Sequence, residues 1–150
     1  MNIRTLFLTL PALAVLVLPS CQTFDKEGTK PMVTLDSPAD PVAVRAAIVN
    51  VFGSEGFTVV SQDGDPMVFS RPARMTDRLF YQDLDGNELT TQATVWVDSA
   101  ASGTRIELMS QILHRPGTMF EDPKYPLLGT GSYYRKLLQR ASLQAQGRTE

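Results

Sequence analysis

The amino-acid sequence predicts an α+β fold, a two-layer sandwich with two helices on one face of an antiparallel sheet of four to five strands. Three observations lead there. Two segments, one near each end of the globular part, repeat apolar residues at helical spacing. Between them lie short runs that alternate apolar with polar side chains or are rich in β-branched residues. Most of these runs are joined by turns too short for a crossover, which imposes antiparallel pairing. The expected order is (β)αββ–loop–ββα.

Each element has its own signal. Met32 to Leu35 is a candidate first strand. Asp40 is a good N-cap and Pro41 suits the first helical turn. Val44, Ile48, Val51 and Phe52 then form an apolar stripe, and Gly53 or Gly56 ends that helix. Phe57 to Ser61 is a strand, Asp63 to Pro66 a turn, and Met67 to Arg71 the returning strand. Pro72 to Thr90 is less regular, with Met75 to Tyr81 either a short helix or irregular chain and Asp85-Gly86-Asn87 a tight turn. Leu89 to Asp98 is a strand with Ala93, Val95 and Val97 on one side and Thr94 and Trp96 on the other. Thr104 to His114 is its partner, with Ile106, Leu108 and Ile112 facing inward and Arg105, Glu107 and Gln111 outward. Arg115 to Gly131, rich in Pro and Gly, is expected to be a long loop. Ser132 caps a last helix whose stripe is Tyr134, Leu137, Leu138 and Ala141. One domain over 31–145 and a frayed end at 146–150 follow.

Composition narrows the function classes. Apolar residues are 43% and charged residues 20% of the 150, the balance of an ordinary globular domain. The net charge is −2, and only Arg4 among the charged residues precedes Cys21; the remainder carries 13 basic and 16 acidic side chains, or −3. That balance argues against a nucleic-acid binder. A single cysteine excludes an internal disulfide and any multi-cysteine metal site. No cofactor is expected.

The N-terminus carries the most specific pattern. Arg4 gives a short basic start, and Leu6 to Leu18 is almost wholly apolar, interrupted by Thr9 and Pro11. A bilayer-crossing helix needs about 20 apolar residues, so this shorter run fits the apolar part of a signal peptide over 1–20. General signal peptidase requires a small residue three before the cut, where Leu18 stands. Leu18-Pro19-Ser20-Cys21 instead resembles the lipobox of bacterial lipoproteins, with Pro19 departing from the usual residue at its place. The resemblance implies lipid on the Cys21 sulfur, cleavage before it and acylation of the new amino terminus. Several acyl chains anchor stably where one is marginal. Gln22 follows where such lipoproteins carry Asp if they stay at the inner membrane, so the resemblance implies the inner leaflet of the outer membrane, facing the periplasm. Residues 21–30 then form a lipidated, polar tether.

A second resemblance concerns the folded part. A helix ending in Gly-Phe, then a strand, a turn and a second strand ending in Arg, over Asp40 to Arg71, is similar to small envelope lipoproteins with a TBP-like or helix-grip domain, such as the small lipoprotein of the β-barrel assembly machinery. It implies fold and setting only.

Candidate chemistry is sparse. His114 is the single histidine and has no metal-binding spacing around it. Asp83 to Glu88 has turn residues but lacks the ligand pattern of a calcium loop. Gly129-Thr130-Gly131-Ser132 is a flexible loop and cap without the spacing of a phosphate loop. Arg71, Arg74 and Arg78 are three or four apart, and if helical they make one basic face for lipid phosphate or an acidic partner. Met119, Phe120, Tyr125, Leu127 and Leu128 crowd apolar side chains into the long loop, as an interface or as a lid over the core. The expectation is a non-enzymatic, membrane-anchored accessory or assembly factor that docks on another envelope protein. The alternative is a carrier of a small ligand or lipid, held in a cleft between helix and sheet.

Overall fold

The computed structural model describes residues 32–81, 89–118, 121–124 and 130–148. It is α+β, a two-layer sandwich built on an antiparallel sheet. The chain runs β1 (Val33–Ser37), α1 (Pro41–Ser54), β2 (Thr58–Ser61), β3 (Met67–Pro72), α2 (Met75–Tyr81), β4 (Leu89–Ala100), β5 (Gly103–His114), β6 (Asp122–Lys124) and α3 (Thr130–Ala145). The spatial order is β1-β5-β4-β3-β2, with β6 also paired to β5. Strands β1 and β6 share one side of β5, because β1 pairs with residues 104–108 and β6 with residues 112–114.

Local chemistry explains the helices. The Asp40 carboxylate accepts from the amides of Val42 and Ala43, so α1 starts at Pro41. Helix α1 runs past Gly53 to Ser54 and stops at Gly56, which adopts φ +80, a left-handed conformation that glycine takes without steric cost. Helix α3 already begins at Thr130, so Ser132 lies inside the first turn rather than capping it. Its stripe is as the spacing predicts: Tyr134, Leu137, Leu138 and Ala141 are buried.

Helices α1 and α3 pack side by side on one sheet face. Phe52, Phe69 and Tyr134 are fully buried between the layers, with Phe52 4.8 Å from Phe69 and 5.2 Å from Phe57, ring centre to ring centre. Ala93, Val95, Val97, Ile106 and Leu108 supply the sheet side of this core. Two polar pairs are buried with it and satisfy each other: Ser110 Oγ with Tyr134 Oη, and Ser142 Oγ with Ser37 Oγ, both at 2.8 Å.

The other face of the central strands is buried too. Val68, Thr94 and Met109 form a cross-strand row there, and Trp96 and Leu113 lie on the same face. Its charged residues gather at one end, where Arg105 Nε donates to Asp36 Oδ1 at 3.0 Å.

Two elements exceed the expected count. Strand β6 lies within the stretch expected to be a loop; three residues including Pro123 carry no periodicity, and the strand exists because its backbone pairs with the free edge of β5. Helix α2 is a third helix over Met75–Tyr81. It is attached through Tyr81, which packs on Ala73, Leu89 and Ile112. The expected leader, Cys21, the expected tether, the turn expected at Asp85, the loop residues Met119, Phe120, Tyr125, Leu127 and Leu128, and residues 149–150 lie outside the described residues.

Candidate interaction surface at the arginine–tyrosine cluster

The three arginines do not share one helix. Arg71 is on β3, Arg74 in the link that follows and Arg78 on α2. The change of element after Pro72 breaks the helical spacing on which a single basic face depended. A tyrosine brings the first two together. Arg74 places its guanidinium carbon 3.8 Å from the centre of the Tyr133 ring, and Arg71 places its own 5.3 Å from that ring and 4.2 Å from Phe57.

The Tyr133 hydroxyl joins charges from distant parts of the chain. It accepts from Arg71 Nη1 at 3.0 Å and donates to Glu55 Oε2 at 3.1 Å. Arg71 Nη1 also reaches the Glu55 carbonyl oxygen at 3.3 Å. Arg140 Nη1, from α3, donates to Glu55 Oε1 at 2.7 Å. The Arg140 hydrogen bond, helped by that of Tyr133, holds the Glu55 carboxyl below the ordinary range against the opposing effect of burial. Deeper in, burial pushes the Tyr134 phenol up, and the Ser110 hydroxyl partly opposes this.

One corner of this cluster is unsatisfied. Among the described residues, Arg71 Nε and Thr91 Oγ1 are both buried without a hydrogen-bond partner, and Arg71 stands opposite Thr91 in the β3–β4 register.

The surface is cationic for a local reason. Helix α3 holds Arg135, Lys136 and Arg140 and no acidic residue. Lys136 and Arg140 lie three and seven residues after Tyr133, on the same helix face. Among the described residues of β3, the link after it, α2 and α3, Asp77 is the one acidic residue, and Glu55 meets Arg140 from the end of α1. Arg78 is exposed and has no ion-pair partner among the described residues.

Other candidates fall elsewhere. His114 is buried at the end of β5, opposite Leu89 on one side and Asp122 on the other. Among the described residues no group of His, Cys, Asp or Glu is arranged to hold a metal ion, and no helix is long and apolar enough to cross a membrane. The calcium-like turn 83–88 and Gly129 lie outside the described residues. A shallow groove of about 310 Å³ runs between β1 and α3, lined by Leu35, Gln139, Ser142 and Leu143.

Tyr133, Glu55 and Arg140 had no signal in the sequence, since partners 78 and 85 residues apart show no spacing. No protein-family model matches the chain, and no curated protein matches it.

Proposed function

We propose that this chain is a lipid-anchored protein of the cell envelope, held at the inner leaflet of the outer membrane through Cys21, that works by binding another envelope protein rather than by catalysis. The observation that carries the anchor is Leu18-Pro19-Ser20-Cys21 directly behind the apolar run from Leu6. Support for binding comes from the arginine–tyrosine surface. Its internal charges already have partners in Glu55, Tyr133 and Arg140, so its remaining exposed cations are available for a contact made from outside.

Two experiments test this reading. Cells fed labelled palmitate should label the wild-type protein and not Cys21→Ser. Gentle detergent extraction followed by affinity capture should recover a stoichiometric partner. Palmitate on Cys21→Ser defeats the anchor, and recovery of the monomer alone defeats the docking role.

A second reading, a carrier of a small ligand or lipid, draws support from the groove at Leu35, Gln139, Ser142 and Leu143, whose volume is at the lower end for ligand sites. Native mass spectrometry of the purified protein decides it: a co-purifying lipid favours the carrier, and a bare mass removes it.

A further inference from the structure

Helix α2 exposes side chains that a soluble surface has no reason to expose together. Met75 is 79% and Leu79 78% accessible, among the most exposed large apolar side chains of the described residues. They are four residues apart and so share one strip of the helix. Arg74 and Arg78 stand one residue before each of them and form an adjoining strip. Arg74 belongs to the same helical frame, because the Arg78 amide donates to its carbonyl at 3.0 Å. Tyr81, seven residues after Arg74 and three after Arg78, continues the arginine strip and packs on Ala73, Leu89 and Ile112, so the strip of Met75 and Leu79 is turned away from that contact. Arg74 lies over the Tyr133 ring of α3, and the exposed Lys136, three residues after Tyr133, adds positive charge beside this helix.

We propose that α2 is a membrane-contact element: Met75 and Leu79 enter the interfacial zone of a bilayer while Arg74 and Arg78 bind the phosphates of anionic phospholipid headgroups. An apolar strip flanked by arginines is the pattern of helices that lie in the plane of the membrane surface. Guanidinium groups bind phosphate oxygens in pairs and are weakly hydrated, which suits the headgroup layer. An acidic patch on a protein partner would match Arg74 and Arg78 but gives no role to two largely exposed apolar side chains on so short a helix. The domain as a whole is acidic, so the attraction comes from this surface and not from net charge. The inference draws on the lipid-anchor reading only for the presence of a membrane nearby; the contact belongs to the folded domain.

The test is therefore made on protein that lacks the lipid. Cys21 is the single cysteine, so full-length Cys21→Ser/Leu79→Cys carries one thiol for an environment-sensitive fluorophore. Cys21→Ser/Val60→Cys is the control, with its label on exposed β2. With vesicles of phosphatidylcholine containing phosphatidylglycerol, the label at 79 should move to an apolar environment while the label at 60 stays in water. Phosphatidylcholine alone should give a much smaller change. Each of Arg74→Gln and Arg78→Gln should weaken the response about fivefold in vesicle concentration, and added salt should weaken it further. A silent label at 79 overturns the proposal. So does an equal change at 60 and 79, which reports the apolar leader carrying the whole molecule to the vesicle. Inorganic phosphate that abolishes vesicle binding at millimolar concentration points to a small-anion site and also overturns it. None of these outcomes depends on whether Cys21 is acylated in the cell.

Discussion

Glu55 and Arg140 meet at 2.7 Å across the α1–α3 contact although 85 residues separate them in the chain. The other carboxylate oxygen takes the Tyr133 hydroxyl at 3.1 Å. Together they tie the end of α1 to α3 beside the exposed arginines, so the shape of the cationic surface depends on one carboxylate remaining ionised.

That dependence gives a signed pH prediction. The hydrogen bond from Arg140 is the main cause that lowers the Glu55 carboxyl below its ordinary value. A carboxyl with a lower pKa in the folded than in the unfolded state contributes stability that is complete above the unfolded value. The contribution is lost as pH falls through the folded value. Glu55→Gln should therefore be less stable than wild type by about 1 kcal/mol at neutral pH, a modest figure because the pair is partly solvated. The gap should be smaller in acid, below the ordinary carboxyl range, than at neutral pH. Urea unfolding of both proteins at the two pH values measures it, and an equal gap at both would reject the assignment.

Ser110 and Tyr134 make a different kind of pair, because both are fully buried. Removing one hydroxyl leaves the other in an apolar core with no partner, which costs about 1–3 kcal/mol. Tyr134→Phe and Ser110→Ala should each destabilise by that amount. The double variant should lose much less than the sum, with a coupling of about 1 kcal/mol or more. A double-mutant cycle by chemical denaturation reads this directly, and strict additivity would show that the bond contributes nothing.

The sequence was informative wherever local chemistry decides. Asp40 before Pro41 marks the start of α1, and the alternation of Ala93, Val95 and Val97 assigns the inner face of β4. It was silent on β6, a backbone addition to the edge of β5 with no pattern of its own. The site divides in the same way. Arg74 with Arg78 and Met75 with Leu79 are four-residue spacings visible along the chain, whereas the pairing of Arg71 with Tyr133 needs the fold to bring β3 against α3. Ser132 shows the limit of local signals: a good capping residue lies within α3 because the helix already starts at Thr130.

Two glycines should respond to alanine with opposite signs. Gly103 opens β5 at φ +133, and a Cβ there would fall on the Ser37 carbonyl oxygen and 2.9 Å from Pro38 Cα. The β4–β5 hairpin passes against the chain between β1 and α1 at that point and has no room for a methyl group. Gly103→Ala combines backbone strain with overpacking and should cost about 3 kcal/mol or more. Gly53 lies inside α1 with nothing within 4 Å of its would-be Cβ. Gly53→Ala should raise stability by up to about 1 kcal/mol through helix propensity. Thermal unfolding followed by circular dichroism separates the two, and a tolerated Gly103→Ala would mean that the β1–α1 link yields easily.

Thr91 provides the sharpest test of the arginine cluster's interior. Thr91 is 3% exposed, and its Oγ1 has no hydrogen-bond partner among the described residues. A buried hydroxyl in that state carries its desolvation cost with nothing to offset it. Valine has nearly the same shape and no polar atom. Threonine-to-valine exchange usually destabilises a core because a satisfied hydroxyl is lost. Here the sign should reverse, and Thr91→Val should be neutral or more stable by about 1 kcal/mol. The Arg71 side chain across the β3–β4 pair keeps its bonds to Tyr133 and Glu55, so the surface around it should not change. Urea denaturation gives the sign. A loss above about 1 kcal/mol would mean that the Thr91 hydroxyl is satisfied after all, most directly by a water bridging it to Arg71 Nε.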